Sequence, residues 1–300
     1  PEQRDSRLWS LNAAQTIVAA CRNQPGKVTE ESKPSTQMSP ALFDLTSLQR
    51  EANSRFGFSA KTTLALAQTL YERHKALTYP RTDSRYLPQD YLQTVKQTVQ
   101  ALSQGGSSAA ASVQPFAAQL GKTDWIKPNK RIFDDKKVSD HFAIIPTLQI
   151  PRDLSEAEGK IYELIARRFL AVFFPAAEFR VTTRITEVSG HHFKTEGKVL
   201  VEPGWLAIYG REAQGDDTTL VAVADNETVK TDEIEAKGLV TKPPARYTEA
   251  TLLSAMEGAG KLVDDEALRE AMSERGLGTP ATRAAIIEGL LNEGYLRREG

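Results

Sequence analysis

The sequence predicts a multidomain α+β protein, and three observations carry that expectation. The chain has 300 residues, long enough for two or more structural units when domains centre on about 100–150 residues. Apolar residues recur at helical spacing over 45–74 and 154–174 but alternate at period two over 178–240. The pair Pro243 and Pro244 then closes the alternating region and opens a second helical stretch.

In chain order, residues 1 to 40 are polar, and NQPGKVTEESKPSTQMSP reads as a strand at KVTEE followed by a linker. LTSLQREANSRFG is a helical pattern closed by Gly57, and SAKTTLALAQTLYERH starts with Ser59 as N-cap. The pair forms a helix-turn-helix-like unit. LTYPRTDSRYLP follows, with Pro80 and Pro88 set against helix. After YLQTVKQTVQAL, the small-residue tract SQGGSSAAAS is the expected flexible loop. LSEAEGKIYELIARRFLAVFF is an amphipathic helix with Ser155 and Glu158 at capping-box spacing. EFRVTTRITEV, HHFKTEGKVLV and TTLVAVAD alternate as antiparallel strands. TKPPARYTEATLLSAMEG returns to helix, and GTPATRAAIIEGLLNEGYLRR is a capped helix running into a strand, so a helix pair twice meets a strand in a winged-helix-like order.

Composition narrows the function. No apolar run approaches the roughly 20 residues of a membrane-spanning helix, so a soluble protein with no membrane partner is expected. The lone Cys21 leaves no internal disulfide or cysteine-built zinc site and fits a reducing compartment, the cytoplasm. A net charge of −1 does not advertise nucleic-acid binding, because total charge averages local patches away. Neither end has the look of a natural terminus, since there is no initiator Met at Pro1 and no tail after YLRREG; the chain is expected to be part of something longer.

The stretch with chemistry is LTYPRTDSRYLP, residues 77 to 88. A phenol titrates near 10, so a nucleophilic tyrosine needs cations or a base to support phenolate character. In an extended segment Tyr79, Arg81 and Asp83 share one side. An arginine fork grips a phosphate through parallel hydrogen bonds and keeps its charge, so Tyr79 with Arg81 suits a phosphodiester. By spacing alone a packing tyrosine is the ordinary reading.

ALTYPRTDSRYLP resembles the active-site segment of type IA DNA topoisomerases, and the proline after the tyrosine with SRYLP beyond it resembles bacterial topoisomerase III. LFDLTSLQREANSRFGFSAKTTLALAQTLYERHKALTYPRTDSRYLP, DHFAIIPT, RRFLAVFFPAAEF, EGKVLVEPGW, PPARYTEATLLSAMEGAGKLVDDEALREAM and RGLGTPATRAAIIEGL follow in that family's order. The resemblance implies that Tyr79 attacks single-stranded DNA and becomes joined to its 5′ phosphate, that Arg81 holds that phosphate, that Asp83 supports them and that His141 assists at the cleaved bond. Arg85, Arg246, Thr279, Thr282 and Arg283 are the candidate DNA-binding residues, the last three at a helix N-terminus. His191 and His192 read as surface residues.

The resemblance also implies an arch fold: residues 1–40 and 171–242 as its β-rich part, 41–170 as the domain carrying Tyr79, and 243–300 as part of a base that grips single-stranded DNA. Relatives begin with an acidic Mg²⁺-binding domain. No DxDxE-type cluster occurs in this chain, so Mg²⁺ is expected of the full-length enzyme with its ligands outside these residues, no metal ligand is assigned here, and little relaxation is expected of the chain alone. A bacterial, nucleoid- or plasmid-associated monomer is the expected setting. The alternative is a non-catalytic winged-helix DNA-binding protein.

Overall fold

The computed structural model describes residues 8–105, 108–210, 218–224, 226–273 and 276–299. The chain divides into two compact units, Pro1–Gln37 with Ala176–Gly204 and Arg211–Pro244, and Met38–Pro175 with Trp205–Gly210 and Ala245–Gly300.

The first unit is built on an antiparallel sheet. Strand β1 (Pro25–Gln37) pairs with β2 (Ala177–Val188) from Gly26 opposite Val188 to Gln37 opposite Ala177. On the far side of β2 lies β3 (His191–Glu202), and β4 (Thr228–Lys230) borders the start of β1. Threonine, valine and isoleucine at alternating positions favour this long ribbon, and cross-strand partners fix its register. Glu30 stands opposite Arg184 and accepts from its Nε at 2.8 Å.

Two segments of this unit differ from the sequence expectation. Helix α1 (Leu11–Cys21), capped by Ser10, whose side chain accepts from Ala13 N, precedes the stretch read as strand and linker, and β1 runs on through the expected linker to Gln37. LNAAQTIVAAC has good helix formers but leaves nearly every side chain exposed or half-exposed, so it lacks the buried stripe that announces a helix. TTLVAVAD makes an isolated bridge, Thr218 with Lys198, rather than a strand over 218–224; Asp225 lies outside the described residues. Alternation without a partner edge does not define a ladder.

The second unit is helical. Its elements are α2 (Leu45–Phe56), α3 (Ala60–Glu72), α4 (Leu92–Gln104), α5 (Ser108–Ala111), α6 (Gln114–Leu120), α7 (Glu156–Ala171), α8 (Glu249–Glu257), α9 (Glu266–Ser273) and α10 (Pro280–Asn292). Leu45, Leu48, Leu70, Leu77, Ile144, Tyr162 and Phe169 are fully enclosed. A smaller cluster joins Ala60 to Leu253, Met256, Ala284 and Ile287, seating α8 and α10 against the start of α3.

The expected boundary residues are where the chemistry puts them. Ser59 accepts from Thr62 N at 3.0 Å. Ser155 and Glu158 close a capping box, with Glu158 accepting from Ser155 N at 2.8 Å. Gly57 ends α2 at φ +69°, a conformation that a Cβ disfavours. The tract expected as a flexible loop forms α5 over Ser108–Ala111, with Gly106 and Ser107 outside the described residues. Alanine is the best helix former, and burial of Ala110 and Val113 supplies the packing that holds so short a helix. YLRR, expected as a strand, turns back instead, with Tyr295 and Leu296 donating to Leu290 O.

Candidate active site

Residues 76–87 form no helix, as the prolines require, and are tied along their length to residues 132–147. Thr78 N donates to Ile145 O at 3.0 Å, Ala143 N to Tyr86 O at 3.0 Å, and Leu87 N to Ile132 O at 2.8 Å. Hydroxyls carry the rest. Thr78 Oγ1 donates to Ala143 O at 2.9 Å, Thr82 Oγ1 to His141 O at 3.1 Å, and Ser84 Oγ to Lys137 O at 2.8 Å. The side chains of Thr82 and Ser84 are buried, so these positions fasten the segment while their neighbours face outward. DHFAIIPT is thereby laid alongside TYPRTDS.

This docking brings the expected site residues together. The rings of Tyr79 and His141 lie 4.2 Å apart, tilted by 41°. The opposite contact of Tyr79 is Tyr71 of α3, edge-on at 5.5 Å and 80°. Tyr79 and Arg81 are half-buried, whereas Asp83 and His141 are exposed. Arg81, Asp83 and His141 line one recess of about 160 Å³, completed by Thr82, Ser139, Asp140 and the start of α10 at Thr279, Pro280 and Ala281.

Arg81 has a protein partner that sequence reasoning missed. Its guanidinium has donors only, so the Gln68 side chain must turn its oxygen toward it, and that oxygen then accepts from Nε and Nη2 at 3.0 Å each. Gln68 and Tyr71 are three residues apart on α3, hence on one face. That spacing was legible; which loop would lie against the face was not.

The candidate DNA-binding residues fall into separate settings. Thr279 is at the recess, and Thr282 Oγ1 accepts from Thr279 N at 2.9 Å. Arg85 donates to Asp44 from Nε at 2.6 Å and reaches Glu257 at 3.4 Å. Burial pulls its pKa down, but the charge of Asp44 and the hydrogen bond to it prevail, leaving it raised. Arg283 is 3% exposed, donating to Thr46 Oγ1 at 2.8 Å and to the carbonyls of Leu277 and Gly278. Burial lowers its pKa, opposed by Glu257 and Asp44. Both guanidiniums thus face acidic and carbonyl groups of the fold. Arg246 is exposed and lies 3.3 Å from Glu299. His192 is an exposed residue 3.8 Å from Glu187.

No group of three or more His, Cys, Asp or Glu side chains converges among the described residues. The described residues therefore offer no such cluster to Mg²⁺. Among the described residues no helix is long and apolar enough to cross a membrane.

Tyr79 against His141, beside a recess that Arg81, Asp83 and His141 line, is the arrangement these elements build. Comparison with known proteins identifies the class of protein. The sequence profile of a DNA topoisomerase family matches residues 1–300. DNA topoisomerase 3 of Bacillus subtilis is 39% identical over 313 residues, covering 100% of this chain and 42% of the relative. DNA topoisomerase 3 of Bacillus cereus is 41% identical over 309 residues, covering 99% of this chain and 41% of the relative. In structure, full-length topoisomerase I from Thermotoga maritima superposes with a TM-score of 0.62 at 22% identity, over 99% of this chain and 45% of that one. The chain belongs to the type IA DNA topoisomerase family. It resembles the bacterial topoisomerase III members, and it spans less than half the length of the curated relatives it matches.

Proposed function

We propose that this chain carries the nucleophile of an enzyme that transiently opens single-stranded DNA. The Tyr79 hydroxyl attacks a backbone phosphorus, a bond forms between the phenolic oxygen and the 5′ phosphate, and the bond to the 3′ oxygen of the preceding nucleotide breaks. The phenolic proton leaves and the released oxygen takes one up, so religation is the same step reversed. Strand passage through the held break changes DNA topology.

Arg81 stands where it can meet the charge that builds on the phosphate oxygens, which a guanidinium stabilises without proton transfer. His141, against the Tyr79 ring, is the group suited to carry the proton at the cleaved bond. Asp83 supports Arg81, and Thr279 at the start of α10 offers a phosphate contact. Arg246, Thr282, Arg85 and Arg283 shape the surface around this path, the last two through the α8 and α10 ends they hold. The full-length enzyme uses Mg²⁺ held by residues outside this chain, and the chain alone relaxes DNA little or not at all. It acts as a monomer in the bacterial cytoplasm.

The observation that carries this reading is the juxtaposition of Tyr79 and His141 at 4.2 Å beside a recess that Arg81 and Asp83 line. The full-length protein containing this chain, incubated with single-stranded DNA and Mg²⁺, is expected to give a protein–DNA adduct that survives denaturation and vanishes in Tyr79→Phe. An adduct that persists in Tyr79→Phe removes the assignment. DNA binding without any adduct identifies the non-catalytic alternative.

A further inference from the structure

We infer that Gln68 is a positioning residue for Arg81, one that selects which edge of the guanidinium meets the DNA phosphate; this rests on the proposed roles of Tyr79 and Arg81. A guanidinium presents its donors along a side edge, formed by Nε and one Nη, and along an end edge formed by the two Nη groups. The Gln68 oxygen sits 3.0 Å from both Nε and Nη2. It occupies the side edge. Nη1 and the outer hydrogen of Nη2 are not engaged by Gln68, and Arg81 lines the recess.

The anchor is stiff. Gln68 is half-buried on α3 between Ala67 and Leu70, both fully enclosed, so its backbone position is fixed by the core. Three residues on, Tyr71 sets its ring edge-on to Tyr79 at 5.5 Å. One helix face therefore touches both the nucleophile and the phosphate-holding arginine. Their separation is set by a helix rather than by the loop alone, which is what a near-attack geometry needs.

The chemistry of the anchor is specific. An amide oxygen orients a cation without cancelling its charge, whereas a carboxylate pairs with it. Arg85, on the same segment, shows the contrast: Asp44 and Glu257 both face it, so its charge is balanced within the fold. Arg81 is held instead by an amide oxygen, with Asp83 and Asp140 on the walls of the same recess.

The test uses the full-length protein with Mg²⁺ and a single-stranded oligonucleotide, measuring adduct formation in a single turnover alongside DNA affinity. Gln68→Met keeps length and removes the acceptor. It is expected to slow adduct formation about tenfold, the worth of one hydrogen bond to a charged group, while DNA affinity and the unfolding midpoint stay unchanged. Solvent exchange of the Arg81 Nε proton, followed by ¹⁵N NMR, is expected to quicken in Gln68→Met and to remain slow in Gln68→Glu, which still slows adduct formation by pairing the cation. An unchanged rate, or an unchanged Nε exchange, in Gln68→Met overturns the inference. If the unaltered enzyme forms no adduct, or Tyr79→Phe still forms it, the reading of Tyr79 has failed and Gln68 loses its role with it; failure of Gln68 alone leaves the Tyr79→Phe result intact.

Discussion

Asp44 binds two parts of the fold with one carboxylate: Oδ2 accepts from Arg85 Nε at 2.6 Å, and Oδ1 accepts from Ser47 N at 2.7 Å. The residue is at once the N-cap of α2 and the tether of the active segment beyond Tyr79. Glu257, at the end of α8, extends the chain of charges to Arg50 at 3.2 Å.

Removing that carboxylate strips a helix cap and leaves a half-buried guanidinium with a more distant partner. Asp44→Ala is expected to cost about 2–3 kcal/mol in urea unfolding, the sum of a lost cap and a weakened, partly screened ion pair. Asp44→Asn retains an oxygen for the cap and is expected to lose less. Equal losses in the two variants would show that the cap contributes nothing beyond the charge, and an Asp44→Asn variant as stable as wild type would show that the charge contributes nothing.

A second prediction concerns acid. The pKa of Glu158 is held below 4.5, first by hydrogen bonds from the Ser155 hydroxyl and backbone N–H and then, against burial, by His74. A carboxyl depressed in the folded state contributes stability that is present above its unfolded value and lost as pH falls through the folded one. Wild type is therefore expected to exceed Glu158→Gln in stability at neutral pH, with the gap closing as pH drops below 4.5. A gap that stayed constant across that window would remove the charge from the explanation.

How much of this was legible in the sequence follows the range of each interaction. Ser59, Gly57 and the Ser155–Glu158 box act within one turn, and each was readable and found in place. The outward positions of Asp83 and His141 needed a partner segment, and the motif order supplied it. Gln68, Asp44 and Glu257 are ordinary polar helix residues until the fold sets them beside an arginine. Arg283 looked like a phosphate ligand at a helix start, yet its side chain turns inward to Thr46. Local spacing gives the face of a helix and not what lies against it.

The seat of α8 and α10 gives a third prediction. Leu253 is fully enclosed within the cluster of Ala60, Met256, Ala284 and Ile287. Leu253→Ala is expected to cost about 2–4 kcal/mol, transfer and cavity terms together. Because the cluster is separate from the interior around Tyr162 and Phe169, amide exchange should quicken in α8 and α10 while α7 keeps its protection. Uniform loss of protection would mean one undivided core.

Two glycines with the same backbone sign make the last prediction. Gly57 has φ +69° and Gly276 φ +62°, so alanine at either meets the left-handed penalty of about 1 kcal/mol. Their surroundings differ. A Cβ at Gly57 meets nothing within 4 Å, whereas at Gly276 it would stand 2.3 Å from Met256 O and 2.4 Å from Glu257 O. Those are backbone atoms of the α8 terminus and cannot swing aside. The same α8 terminus is fixed from outside, since Leu277 N donates to Met256 O at 2.7 Å and Glu257 faces Arg50 and Arg85. Gly57→Ala is thus expected to lower stability by about 1 kcal/mol and no more, while Gly276→Ala adds a displacement of the α8 end to the same strain and is expected to cost about 3 kcal/mol or above. Calorimetry on the two variants checks the ranking. Equal losses would show that backbone strain alone, and not the approach of Gly276 to α8, governs both positions.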